Sequence, residues 1–347
     1  MLTWQSPSRD PERSNRALPQ LATAQDDDGE AALGSEEHTR VTQYIIRRII
    51  QSIFVILGVI TAVFIISNLS GDPAALILGP NASADAIQAM KERLGLDQPL
   101  YVQYVKFVGD AVRGNFQQSL QYQGHSSMDI ALTRFPRTAA LAGAALLLEV
   151  VVSLSLGIIA AVKRYSLIDN IVMFIALVGQ SIPNFWLGIM LILIFSVNLG
   201  WFSSQGYSLS PYYFVLPAIT LAAPPIARLT RLTRSGMLDV LGADYVRTGR
   251  AKGLQERTVV LGHALKNAAI PLVTVIGLDF GRLLGGAIIT EQIFEWNGVG
   301  QLLVSSIEAR DFPVVQAAVF IIAATFVLIN LVVDLLYAQL DPRVRLT

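Results

Sequence analysis

Long apolar runs restrict this chain to a fold that a lipid bilayer can hold. An α-helix needs about 20 mostly apolar residues to cross the hydrocarbon core. Segments of this type lie at 49–69, 138–162, 171–197, 212–227, 268–290 and 313–337, the fourth being the shortest. Only 15% of the 347 residues are charged, which is low for a soluble surface of this size. The sequence therefore predicts an all-α polytopic membrane protein with six transmembrane helices.

Lysine and arginine near the ends of these segments predict how the chain crosses the membrane. Basic residues cluster at 47–48, 163–164 and 228–266. The short loops 198–211 and 291–312 contain a single basic residue between them. By the positive-inside rule, both termini and the loop 228–267 are cytoplasmic, and the membrane is the inner or plasma membrane. The loop 71–137 is too long for the rule and is placed outside by parity.

Composition divides the chain further. The parts are a polar tail at 1–40, the first helix with an external loop at 41–133, a membrane core at 134–338 and a C-terminus at 339–347. The tail carries an acidic run at 26–28 and has no apolar periodicity, so it is predicted to be a disordered cytoplasmic segment. In the external loop, Ser83 and Gly95 are placed to begin and end a helix, and apolar spacing over 101–113 predicts another.

The residue types that are absent exclude several kinds of chemistry. The chain has no Cys, which removes disulfides, thiolate metal sites and cysteine nucleophiles. Its three histidines are not spaced as metal ligands. An intramembrane protease would need a Ser–His or paired-Asp arrangement at membrane depth, and His125 and His263 fall outside the predicted spans. No catalytic residue, metal site or cofactor site is predicted, and the chain is interpreted as a non-enzyme.

The segment 238–267, called the coupling loop below, is too long for a simple connection. Residues 238–252 are predicted to form one helix, which Gly253 ends in the left-handed conformation. Residues 256–267 are predicted to form a second helix that leads into the membrane at Pro271. Two short helices of this kind make a rigid unit that can transmit a force. A basic hairpin lying on anionic lipid is the alternative.

This segment reads DYVRTGRAKGL at 244–254 and HALKNA at 263–268. It resembles the cytoplasmic coupling loop of ABC importer permeases, specifically the peptide/nickel class that contains the dipeptide and oligopeptide permease B-type subunits. Gly249 departs from the Ala that is usual in the class, which costs about 1 kcal/mol of helix stability. The resemblance implies these ATPase-coupling residues: Asp244, Tyr245, Arg247, Arg250, Lys252, Gly253, Leu254, His263 and Asn267.

Other motifs extend the resemblance over nearly everything after residue 40. They lie in the expected order at 71–73, 94–99, 134–138, 181–185, 294–300, 310–313 and 340–343, with Asn297 where Pro is usual. The resemblance implies an ABC type I importer permease fold. It also implies a second homologous permease, two cytoplasmic ATPase subunits or domains that bind ATP and Mg²⁺, and an external substrate-binding protein. The chain itself has no Gly-x-x-x-x-Gly-Lys-Ser/Thr phosphate loop and no basic excess that would favour nucleic acid.

Ionisable groups and a helix interruption inside the spans predict the translocation path. The candidate path residues are Glu149, Ser181, Pro183, Asn184, Asp279 and Arg282. Charged groups at membrane depth are costly and usually functional, although Asp279 and Arg282, three residues apart, can also simply pair. Glycines at 277, 281 and 285 recur on the same helix and predict close helix packing, within the bundle or between permeases.

The sequence thus predicts a permease subunit that carries di- and oligopeptides by alternating access, driven by partner ATPases. Nickel, oligosaccharide or another small solute is an alternative cargo for the same architecture. An ion-coupled carrier or channel without an ATPase is the alternative of another class, and it is disfavoured by the coupling loop. Co-purification of ATPase subunits would separate these classes.

Overall fold

The computed structural model describes residues 25–69, 82–208 and 210–340, together with Ala74 and Leu78. Regular structure in these residues is helical, apart from an isolated β-bridge between Gln118 and Ser126. The prediction of an all-α protein is confirmed. The predicted C-terminal segment 339–347 lies outside the described residues from 341 onward.

The described α-helices are α1 Gln25–Leu69, α2 Ala84–Leu94, α3 Leu100–Val112, α4 Ser127–Val162, α5 Leu167–Ser181, α6 Asn184–Leu191, α7 Pro211–Leu241, α8 Asp244–Ala251, α9 Leu265–Phe294, α10 Val299–Glu308 and α11 Phe312–Leu340. Two π-helical segments continue these elements. Ile192–Asn198 extends α6, and Thr258–Ala264 runs directly into α9.

Within these residues, five helices are long and apolar enough to cross a membrane. They are Ile45–Leu69, Ser127–Val162, Pro211–Leu241, Thr258–Phe294 and Phe312–Leu335. A sixth span exists only if the pair Leu167–Ser181 and Asn184–Asn198, bent by 104°, counts as one. The predicted interruption at 181–184 is confirmed, and the segment 171–197 is divided by it into two helical parts. Pro183 cannot donate a backbone hydrogen bond, so the helix ends before it and restarts in a new direction.

The fourth span is longer than predicted, because Pro224 and Pro225 do not end it. Helix α7 continues for about four turns to Leu241. Its buried side chains continue past the prolines at Leu229 and Met237, both fully buried. Neighbouring helices can hold a proline-containing helix in this way. The N-in/C-in orientation stays a prediction.

The first helix begins earlier than predicted. Residues 25–40, interpreted from the sequence as disordered, are the start of α1. Adding residues to an existing helix is far cheaper than nucleating one, and α1 already has an apolar membrane segment at 45–69 from which it can extend. Residues 1–24 lie outside the described residues.

The two predicted helices of the external loop are confirmed. The Ser83 side chain accepts a hydrogen bond from the Ala86 amide and begins α2, and Gly95 ends it at φ 69°. Helix α3 packs on α1, where the Tyr104 hydroxyl and Thr61 Oγ1 are 2.7 Å apart. An apolar cluster of Ala111, Phe116 and Val314 joins this region to α11. The loop helices therefore pack over the bundle.

Helices α4, α7 and α9 form the centre of the membrane bundle. Small residues allow close approach: a Cβ added at Gly157 of α4 would lie 2.5 Å from Thr233 Cβ of α7. On α9, a Cβ at Gly277 would meet Val333 of α11 at 2.6 Å, and one at Gly281 would meet Phe326 at 3.0 Å. Packing within the bundle is thus confirmed for two of the three predicted glycines, whereas Gly285 faces open space.

Candidate functional site

The coupling loop consists of a short helix, a tight turn and the beginning of a long helix. Helix α7 ends at Leu241, and α8 begins at Asp244. The predicted single helix over 238–252 is therefore wrong. Ala243 between the two helices is extended, with ψ 152°, and Gly242 is a weak helix former that allows the chain to turn. After α8, Gly253 has φ 79°, the left-handed conformation predicted for it.

The second predicted helix of the loop is not a separate element. Helical structure restarts at Glu256, passes through the π-helical segment 258–264 and continues as α9 to Phe294. The turn at Gly253 is consequently attached to one membrane helix with no further loop between them. A displacement of the turn would act directly on this helix, which contains a π-helical segment and Pro271 before it reaches the centre of the bundle.

Internal contacts hold the turn in one conformation. Arg250 binds Glu256 through two hydrogen bonds of 3.1 and 2.7 Å. This contact holds the pKa of the Glu256 carboxyl below its ordinary value and raises the pKa of Arg250. Asn267 Nδ2 donates to the Tyr245 hydroxyl at 3.0 Å, which joins α8 to α9. Of the predicted coupling residues, Arg250, Tyr245 and Asn267 therefore act within the loop in this structure.

The remaining predicted coupling residues form an exposed surface. The side chains of Asp244 and Arg247 are 97% and 73% exposed and lie 3.6 Å apart. Lys252, Gly253 and Leu254 are exposed at the turn, and His263 is exposed on the π-helical segment. No described atom comes within 4 Å of a Cβ placed at Gly253. The loop therefore presents an exposed polar projection at its turn.

Four charged side chains meet inside the membrane bundle, and they are called the charge cluster below. They are Glu149 on α4, Arg228 on α7, and Asp279 and Arg282 on α9. Asp279 Oδ1 accepts hydrogen bonds from Arg228 and, at 3.2 Å, from Arg282. Glu149 lies within electrostatic range of Asp279 and Arg228. Sequence reasoning had singled out three of these residues but had counted Arg228 with the cytoplasmic flank.

Several polar atoms of the charge cluster are buried without a hydrogen-bond partner among the described residues. They are both carboxylate oxygens of Glu149, Oδ2 of Asp279 and Nε of Arg228. Glu149 and Asp279 are 0% exposed as residues. Unpaired polar groups at this depth are expensive, so their retention favours a functional reading of the cluster.

The other predicted path residues lie at the break between α5 and α6. Ser181 Oγ donates to the Leu177 carbonyl at 2.9 Å, and the Asn184 side-chain oxygen is buried with no partner in the part of the chain that the structure describes. Helix α7 connects this break to the charge cluster. Arg228 contacts Asp279, and Arg231, three residues later, contacts Gln180 beside the break. A signal for this connection was present in the sequence, since basic residues at 228, 231 and 234 share one helix face.

Three buried carboxylates outside the charge cluster were not predicted, and one of them, Asp169, pairs with Arg234 of α7. Glu291, at the end of α9, accepts a hydrogen bond from the Gln301 amide at 3.1 Å near the start of α10. Asp311 accepts from the amides of Leu120 and Gln121 at 3.2 and 3.1 Å and from the Ser119 hydroxyl. The carboxylates of Glu291 and Asp311 thus accept hydrogen bonds from backbone amides at predicted external turns. This role is structural.

Comparison with known proteins places the chain among transport proteins. The family model of the binding-protein-dependent transport system inner membrane component matches residues 153–346. The model for the N-terminal part of such membrane components matches residues 41–142. Together these matches cover the membrane spans and the coupling loop.

Individual relatives agree with the family models. Glutathione transport system permease proteins GsiC of Escherichia coli strain K12 and of Shigella dysenteriae serotype 1 are each 45% identical over 310 residues. These alignments cover 87% of this chain and 98% of each relative. Among solved structures, inward-facing MetNI methionine ABC transporter is similar with a TM-score of 0.49 and 18% identity, over 62% of this chain and 97% of that one.

Proposed function

Because the chain belongs to the inner-membrane components of binding-protein-dependent transport systems, as an ABC importer permease, we propose that it forms the translocation path for di- and oligopeptides. The relatives that are 45% identical are named as permeases for glutathione, which is itself a tripeptide derivative. Small peptides of this size are therefore the cargo that the resemblance favours. Nickel, oligosaccharide or another small solute remains the alternative for the same architecture. Membership of the family argues against the ion-coupled carrier or channel.

The proposed function requires other subunits. A second homologous permease completes the path, two ATPase subunits or domains bind ATP and Mg²⁺ on the cytoplasmic side, and an external binding protein delivers the peptide. Both termini of this chain are then cytoplasmic. The absence of a phosphate-loop sequence from the chain supports a division of labour in which hydrolysis takes place on the partners.

The observation that carries the proposal is the continuous helix between the coupling loop and the charge cluster. Helical structure runs without a break from Glu256 through Asp279 to Phe294. The helical rise places Asp279 about 30 Å from the first turn of this helix. A stiff element of this length can convert movement of the exposed turn at Gly253 into movement of the charged groups within the bundle.

Alternating access then has a simple physical form. Closure of the ATPases on ATP displaces the coupling loop, α9 moves with it, and the bundle changes from inward-open to outward-open. The two states form an equilibrium that ATP and the loaded binding protein bias, since each binds one state better than the other. Glu149, Asp279 and Arg282, with Ser181, Pro183 and Asn184 at the helix break, are the proposed path residues.

The test is tripeptide uptake in cells that lack this chain and are complemented with wild type, Gly253→Leu or Gly124→Leu. Gly124 is the matched control, because it also has a positive φ, 81°, and open space around its Cβ position. Both variants therefore carry a similar backbone strain, but Gly124 lies in the predicted external loop. We expect wild type and Gly124→Leu to restore uptake and Gly253→Leu to abolish it at normal membrane abundance.

The other outcomes are equally informative. Normal uptake by Gly253→Leu would show that the turn does not couple the ATPases to this chain. Loss of uptake in both variants would mean that backbone strain, and not coupling, is responsible. If wild type restores no tripeptide uptake although ATPase subunits co-purify with it, the importer assignment stands and the peptide cargo is wrong.

A further inference from the structure

Arg282 is an exposed cation within a membrane helix. Its side chain is 59% exposed, although it lies about 12 Å along the helix from Thr290, the end of the predicted span. Gly285 and Ile289 are exposed one and two turns further on and belong to the same face of α9. A guanidinium at this depth is too costly to face hydrocarbon. This face of α9 must therefore meet either another protein or a water-filled path.

The guanidinium of Arg282 has more N–H donors than the acceptors that the described residues offer it. It has five N–H donors, and the described part of the chain engages it through the 3.2 Å hydrogen bond from Nη1 to Asp279. In a membrane interior, donors without water need acceptors from protein or ligand. The ligand that best matches the planar guanidinium fork is a carboxylate, which can accept two parallel hydrogen bonds.

The surroundings of Arg282 fix its position. Asp279 is fully buried and accepts from Arg282 and from Arg228 on α7, whose side chain is 40% exposed. One buried carboxylate thus holds two guanidinium groups that both reach the surface. Glu149 lies near Asp279 and Arg228, so the cluster contains two acids and two bases. A zwitterionic molecule finds groups of both kinds there, and its carboxylate finds a preformed partner in Arg282.

We propose that Arg282, positioned by Asp279 and assisted by Arg228, binds the C-terminal carboxylate of the peptide as it crosses the membrane. The proposal rests on the proposed function and makes it more specific, because it names the group that is recognised inside the permease. The competing occupant of Arg282 is an acidic side chain of the second permease. The two occupants predict different dependence on the chemistry of the peptide.

The first experiment measures uptake by the complete transporter in proteoliposomes, with a tripeptide and with its C-terminal amide. For each peptide, the rate of a variant is divided by the wild-type rate, so that any preference of the binding protein cancels. We expect Arg282→Gln to reduce uptake of the free acid about tenfold to hundredfold, the usual effect of losing a charge-assisted hydrogen bond, and to affect the amide much less. Arg282→Lys should be intermediate, because it keeps the charge but loses the fork.

Lys163→Gln is the matched control. It removes one positive charge from an exposed position directly after α4, outside the predicted spans and outside the coupling loop, and it should leave both rates unchanged. An equal loss of both peptides in Arg282→Gln, with the ATPases still bound, would overturn carboxylate recognition and indicate a contact between permeases. If wild type transports neither peptide, the proposed function fails. The second experiment then tests carboxylate binding at Arg282 independently of transport.

The second experiment needs no transport and uses the cysteine-free sequence of this chain. Gly285→Cys places a thiol one turn from Arg282, and a Cβ there has no described atom within 4 Å. In the solubilised, assembled complex, we expect a charged, water-soluble thiol reagent to label this position and the free-acid tripeptide, but not its amide, to slow the labelling. Absence of labelling would mean that a partner or lipid covers this face, and the proposal would be wrong. Labelling that the free acid does not slow would also overturn it.

Discussion

Two turns, at opposite ends of α9, both depend on glycine but for opposite reasons. The turn at Glu291–Gly300, called the corner below, is on the predicted external side and is tightly packed. The turn at Gly253 is on the predicted cytoplasmic side and is surrounded by open space. At the corner, glycine is required because there is no room for a side chain. At Gly253, it is required because of the backbone conformation.

Burial makes the corner rigid. Glu291 and Trp296 are each 0% exposed. The Trp296 indole N–H donates to the Arg137 carbonyl at 3.0 Å, and its ring packs edge-on against Tyr207 and Phe214. A Cβ added at Gly298 would overlap a Glu291 carboxylate oxygen. Such a corner anchors the end of α9 to α4 and α10.

The turn at Gly253 is itself exposed, although the loop that carries it is anchored by buried Val246, Val259 and Val260, the last in an apolar cluster with Met237 of α7. The Arg250–Glu256 pair is exposed, with 42% and 53% of the two side chains accessible. The comparison teaches that the corner is packed as far as its glycines, whereas at the other end the buried packing stops short of the turn. A projection with a packed base and an exposed tip can be moved as a unit by a partner, and the predictions below test each end.

The largest effect is expected at Gly300. A Cβ there would lie 2.6 Å from the Ile288 Cα and 2.9 Å from a Glu291 oxygen. Because the first contact is with backbone, side-chain rotation cannot relieve it. Gly300→Ala should lower the free energy of unfolding by about 3 kcal/mol. Thermal unfolding of the solubilised complex measures this loss.

Gly285→Ala is the control for that substitution, because it makes the same change on α9 in open space and should be neutral or slightly stabilising. If Gly300→Ala unfolds at the wild-type temperature, then the corner is not tightly packed, and the contrast between the two ends of α9 disappears.

The second prediction concerns Trp296. Trp296→Phe removes the donor to the Arg137 carbonyl and leaves a small cavity, so we expect a loss of about 2 kcal/mol. Trp201→Phe provides the comparison, because Trp201 is 59% exposed and its substitution should cost less than about 0.5 kcal/mol. Equal unfolding temperatures for the two variants would contradict the assigned role of the buried indole.

The two ends of α9 also differ in how far the sequence predicted them. Local signals were sufficient for the cap at Ser83, the left-handed Gly95 and Gly253, and the helix break at Pro183, because each depends on a few neighbouring residues. The corner was recognised as a motif, but the burial of Glu291 against Gly298 and Gly300 was not foreseen. That contact depends on the way in which α9 and α10 meet.

Contacts between distant residues account for most of what was missed. Arg228 and Asp279 are 51 residues apart, and Ser119 and Asp311 are 192 residues apart. No local pattern encodes such pairs. The extension of α7 through Pro224 and Pro225 was missed for a related reason, since helix packing outweighs the local penalty of proline. Burial of charge, in contrast, was foreseeable for Glu149 and Asp279, because an acidic side chain within an apolar membrane helix is costly to expose to lipid and faces the bundle interior instead.

The third prediction separates conformation from space at Gly253. Gly253→Ala should cost about 1–2 kcal/mol, because residues with a Cβ are disfavoured at positive φ. Gly253→Asn should cost less, because Asn tolerates this conformation, although its side chain is larger. Thermal unfolding gives both values, and peptide uptake is measured alongside. If Gly253→Asn is stable but transports nothing, the constraint is space in the groove of the ATPase. If it is less stable than Gly253→Ala, the conformational explanation is wrong.

The smallest effect is expected from the Arg250–Glu256 pair, and it should depend on pH. Arg250 lowers the pKa of Glu256 in the folded protein, so the contact stabilises the turn fully at pH values above the ordinary pKa of 4.5 and is lost as the pH falls through the lowered value. Because both side chains are exposed, the gain is at most about 0.5 kcal/mol.

Hydrogen exchange of the amides at 250–256 should therefore show slightly less protection in acid than at neutral pH, relative to Glu256→Gln at the same pH. In that variant the difference should vanish, whereas the amides at 139–146 of α4, a stretch without titratable side chains, should serve as an unaffected reference. If Glu256→Gln loses the same protection in acid as wild type, another group causes the acid sensitivity. The turn would then be held by Asn267 and Tyr245.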